Sequence, residues 1–113
     1  MSKININVYF KLGDLEQINN FFAIKNDNVI EYIDLEKNKM IINIKDNKLI
    51  RENSDYIFNF DFNNNIINIY LKKMNKTIEK SINTLLIDKT NKRFLVRYQL
   101  IDEDIINEYL INF

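Results

Sequence analysis

From Ile4 to Ile101 the apolar residues mostly recur at every second position, in runs separated by short breaks rich in Asn, Asp and Lys. Successive side chains of a β-strand point to opposite faces, so this alternation predicts strands with one buried face. Ile4, Ile6, Val8 and Phe10 alternate with Asn5, Asn7, Tyr9 and Lys11. Phe22 and Ile24 lead into a turn at 25–28, a short strand at 29–33 and a second turn at 34–38. Met40, Ile42 and Ile44 then share a face. Asp46 and Asn47 predict a tight hairpin, because both tolerate φ > 0. The chain returns over 48–52. Tyr56, Phe58, Phe60 and Phe62 stack on one face, followed by the Asn63-Asn64-Asn65 turn and by Ile67, Ile69 and Leu71. A long run at 77–88 carries Ile78, Ile82 and Leu86, and 89–92 turns the chain. Phe94, Val96, Tyr98 and Leu100 form the clearest late strand, and 105–113 follows an acidic break.

Roughly ten runs of ordinary strand length fit this pattern. The predicted fold is all-β: an antiparallel meander of about eight to ten strands closing into a calycin- or lipocalin-like barrel, since closure removes exposed edges. Two segments also read as helices, giving an α+β alternative. Asp14 and Gln17 have N-cap spacing near 14–22, where Leu15, Ile18 and Phe22 keep helical periodicity. Asp102-Glu103-Asp104 suits a first helical turn, and Ile105, Ile106, Tyr109, Leu110 and Phe113 fit a stripe over 103–112.

Composition narrows the function classes. The 113 residues make one domain, 1–113, and 46% hydrophobic content suffices for a core. Sixteen basic and sixteen acidic residues balance, which argues against nucleic acid and anionic membranes as partners. There is no cysteine and no histidine, so thiolate chemistry, disulfides and the commonest general base and metal ligand are missing. No cofactor is implied, and a non-enzymatic role is expected. The segment Met-Ser-Lys-Ile-Asn-Ile-Asn lacks a signal-peptide core, and the longest apolar stretch is 21–24, so a cytoplasmic location is expected.

The order of runs also resembles the YwiB-like family of bacterial calycin-like β-barrels. Phe21-Phe22-Ala23-Ile24-Lys25 through Val29-Ile30-Glu31-Tyr32 is similar to that family's second hairpin. Ile42-Asn43-Ile44 through Leu49-Ile50-Arg51-Glu52-Asn53 is similar to its strand pair ending in an arginine before a turn. Ile82-Asn83-Thr84, residues 88–92 and Arg97-Tyr98-Gln99-Leu100 are similar to its late hairpin. Asn53 and Asn75 stand where the family's turns have glycine; asparagine is the next best residue at φ > 0. The resemblance implies a barrel and no known reaction.

Candidate chemistry is sparse. Arg51, alternating with Ile50, either pairs with a ligand carboxylate or phosphate inside the barrel or closes one barrel end. The stripe of Tyr56, Phe58 and Phe60 either lines an apolar cavity or fills the core. Arg97 and Tyr98, with Arg93, suggest a phosphate-facing patch or a solvated face. Asp102, Glu103, Asp104 and Glu108 could ligate a cation but lack the spacing of a calcium loop. Glu31, Asp34 and Glu36 are a carboxylate cluster of the kind glycosidases pair. The expected function is therefore a non-catalytic barrel binding an unidentified small ligand. The alternative is a protein-interaction module, as a homodimer or as an inhibitor masking a larger enzyme such as a nuclease, encoded by a mobile element. That alternative places Tyr9, Tyr32 and Tyr70 outside the core.

Overall fold

The computed structural model describes residues 2–113 and contains ten strands. They are β1 (Ser2–Leu12), β2 (Leu15–Asn26), β3 (Val29–Ile33), β4 (Lys39–Asn43), β5 (Lys48–Glu52), β6 (Tyr56–Asp61), β7 (Ile66–Leu71), β8 (Lys76–Thr90), β9 (Arg93–Leu100) and β10 (Asn107–Asn112). Each pairs antiparallel with its neighbour in sequence, and β10 pairs with β1 to close the barrel. The all-β prediction therefore holds, as a closed meander of ten strands. Among the described residues no helix forms, and none is long and apolar enough to cross a membrane.

Both segments with helical spacing are strand or turn. Asp14 sits in the β1–β2 turn rather than at an N-cap, and 15–25 is zipped to β1 through eleven cross-strand pairs from Ser2↔Lys25 to Leu12↔Leu15. That ladder outweighs local propensity. Gly13 takes φ 62°, and its amide donates to Asn107 Oδ1 at 3.2 Å, tying this hairpin to β10. Residues 103–106 are irregular after Asp102, which has φ 71°, and β10 then forms on β1 and β9.

Two turns differ from expectation in detail. The β4–β5 connection spans four residues, 44–47, and of these only Asn47 has positive φ, at 55°. Asn75 does take the left-handed conformation, at φ 46°, whereas Asn53 does not. Asn53 instead caps the β5–β6 turn: its Oδ1 accepts from the amides of Asp55 and Tyr56, at 2.8 and 3.1 Å. This is an Asx turn, which needs the side chain and would be lost with glycine. A bulge between Thr84 and Leu86 shifts the β8 register. It flips Leu86 outward although Ile78, Ile82 and Leu86 keep one parity.

The alternating strands give the barrel two unlike ends. The β2–β3, β4–β5, β6–β7 and β8–β9 turns lie at one end, above a packed floor of Ile30, Ile42, Phe62, Phe94 and Ile111. The other five connections surround the opposite end.

Candidate ligand cavity

The floor stops partway up. Beyond it lies a cavity of about 460 Å³, reaching the second set of connections. Its volume lies in the range of small-molecule sites. Phe58, Phe60, Ile67 and Ile69 form an apolar wall from β6 and β7. The aromatic stripe divides along its length. Tyr56 stacks on Phe58 with ring centroids 4.4 Å apart but does not itself line the cavity. Phe58 and Phe60 line it, meeting edge to face at 6.4 Å, and Phe62 belongs to the floor.

Several polar groups face this space. Arg51 lies between Met40 and Phe58 in cross-strand register and lines the cavity. Its Nη2 donates to Glu36 Oε2 at 3.1 Å, and its Nε is buried with no hydrogen-bond partner among the described residues. Gln17 and Asn19 from β2, and Lys80 from β8, also line the wall. Tyr98 lies at mid-depth on β9, and burial pushes its hydroxyl pKa up to about 12 while the Arg51 charge pulls it back.

Tyr32 and Tyr109 were not among the residues the sequence points to as a site. Their hydroxyls meet at 2.6 Å, buried, bridging the interior from β3 to β10 past β1 and β2. Tyr32 also packs on Phe21 at 4.9 Å. Its expected place outside the core is thus corrected: it shares the inward parity of Ile30, and both side chains are buried. Burial raises the Tyr32 pKa to about 12, with the Tyr109 hydrogen bond opposing, and burial also drives Tyr109 well above the ordinary range. All three tyrosines stay protonated at neutral pH and can donate.

Arg97 and Tyr98 do not form one patch. Adjacent strand residues face opposite ways: Tyr98 points inward, and Arg97 lies on the outer face with Nε donating to Glu108 Oε1 at 2.7 Å. Arg93 pairs with Asp88. The acidic cluster at 31, 34 and 36 is split as well. Asp34 Oδ1 accepts from the amides of Glu36 and Asn38, each at 2.9 Å, and Glu36 goes to Arg51. Among the described residues no three Asp or Glu side chains gather as a metal site.

Comparison with known proteins finds no matching family, no curated relative and no similar solved structure.

Proposed function

We propose that this barrel is a non-catalytic binding module for a small amphipathic ligand. The observation that carries the reading is the half-hollow interior: a packed floor under an open cavity whose wall is apolar on β6–β7 and polar at Arg51, Gln17 and Asn19. A barrel built only for stability would fill this space, because unfilled apolar volume is destabilising. At about 30 Å³ per water, the cavity holds roughly fifteen waters, or a ligand of about as many non-hydrogen atoms. Leu12, Leu15, Leu35 and Ile105 at the mouth are exposed apolar residues that would cover such a ligand. The test is native mass spectrometry of protein purified from its own host, gently and after denaturation. A small mass lost on denaturation supports the reading; a bare monomer that also fails to take up an apolar fluorescent probe overturns it.

A protein-interaction role draws on a different surface. The outer face of β2 carries Ile18 and Phe22, whose residues are 66% and 85% exposed, beside Ile24. Exposed apolar clusters of this kind are features of contact surfaces. Phe22→Asp abolishing a dimer or a co-purifying complex would favour this second reading; a monodisperse monomer across concentrations would count against the homodimer.

A further inference from the structure

We infer that Glu36 holds the place of a ligand carboxylate on Arg51, so that the ligand is an apolar monocarboxylate which displaces Glu36 from Arg51. This rests on the binding-barrel reading above and names its ligand class.

Arg51 is a cation set in an apolar wall between Met40 and Phe58. Its side chain is 25% exposed, and a guanidinium partly withdrawn from water gains from an anionic acceptor. Its acceptor comes from outside the wall: Glu36 belongs to the β3–β4 connection at the cavity mouth. The Glu36 side chain is 74% exposed, so its carboxylate returns to water at little cost. The loop need not unfold for this. Asp34 holds it through the amides of Glu36 and Asn38 and the Asn38 side chain, and the Asp34 amide donates to Asn38 O at 3.0 Å. Glu36 can therefore leave by side-chain rotation alone.

Arg51 also has donors to spare. A guanidinium presents five N–H groups in a planar fork suited to two parallel bonds with a carboxylate. Glu36 uses one, at Nη2, while Nε is buried in the wall and Nη1 makes no hydrogen bond among the described residues. A carboxylate arriving from the cavity can take Nη1 and Nη2 together, where Glu36 holds Nη2 alone. Of the other acids lining the cavity, Asp34 is committed to its own loop and Glu108 to Arg97, and Glu103 makes no bond to Arg51. The bond that Glu36 makes shows the charge type that this position accepts.

Dodecanoate, with about the cavity's capacity in atoms, and dodecanol serve as probes. Binding is measured by displacement of an apolar dye for the unaltered protein, Glu36→Gln and Arg51→Met. Removing the competing carboxylate is expected to tighten dodecanoate about threefold and leave dodecanol unchanged. Arg51→Met is expected to weaken dodecanoate about tenfold, again sparing dodecanol. Dodecanol binding alongside dodecanoate affinity indifferent to either substitution overturns the inference while the barrel reading stands. Absence of both probes from the unaltered protein overturns both. Glu36 is exposed, so the first variant folds whatever becomes of the second.

Discussion

Phe94 and Phe58 sit in one barrel at different depths, and truncating each to alanine separates a filled interior from a hollow one. Phe94 is 0% exposed in the floor. Phe94→Ala removes a fully buried ring and leaves a void sealed by Ile111 and its neighbours, a change that costs about 3–5 kcal/mol. Phe58 is half-buried on the cavity wall. Phe58→Ala loses about half the transfer energy of a buried side chain, roughly 1 kcal/mol, and the contacts with Tyr56 and Phe60, roughly another 0.5–1 kcal/mol. No sealed void follows, because the space already opens at the barrel mouth. Scaled to a chain of this length, 1 kcal/mol corresponds to about 4 °C in Tm. The floor variant is thus expected to melt about 12–20 °C lower, the wall variant about 6–8 °C lower. Urea titration with an unchanged slope gives the same comparison in free energy. Equal losses from the two substitutions would refute the reasoning, since they would mean that Phe58 is packed as tightly as Phe94.

Tyr32→Phe alone strands the Tyr109 hydroxyl in the interior and is expected to cost about 1–3 kcal/mol, while Tyr32→Phe with Tyr109→Phe costs less than the sum; a double-mutant cycle by urea unfolding measures the coupling. Because the folded pKa values of Tyr32 and Tyr98 are raised from 10 to about 12, their contribution is complete below pH 10 and is lost as pH rises toward 12, at up to about 1.4 kcal/mol per pH unit for each. Tyrosinate absorbance and unfolding followed together over that window check this, and titration of both groups near 10 in the folded protein would contradict it. Lys37 holds φ 68°, a left-handed conformation unfavourable for a lysine, so Lys37→Gly is expected to raise Tm by about 4 °C, measured by thermal melting.

Strand order was legible because burial on one face imposes period two wherever the floor demands it. Ile30, Ile42, Phe62 and Phe94 all obey that rule. The pattern failed on β2, where Gln17 and Asn19 face the cavity and Ile18 and Phe22 face outward. An open cavity does not require apolar residues along every wall, so the constraint that makes a strand readable is relaxed there. Arg51 could be found because it interrupts an apolar run. The parity of Arg97 and Tyr98 was equally readable and already forbids a shared patch. The Tyr32–Tyr109 contact joins residues 77 apart, and nothing local connects them. Glu36 was visible as an acid in a turn, but its reach to Arg51 depends on how the β3–β4 connection sits over the wall.

Nine of the ten ladders join strands that follow each other along the chain, and the tenth joins β1 to β10. Hairpins can therefore form one after another as the polypeptide leaves the ribosome, yet the cylinder stays open until β10 has been made. Through that interval β1, eleven residues long, lacks one of its two partners and offers a free edge for intermolecular pairing. Of its outward positions Lys3, Asn5, Asn7, Tyr9 and Lys11, two are charged and two are amides, and Tyr9 is bonded to Glu16 of β2, which makes this waiting strand a poor template for other chains. The charges on β1 thus guard the nascent protein at a stage when the completed barrel does not yet exist.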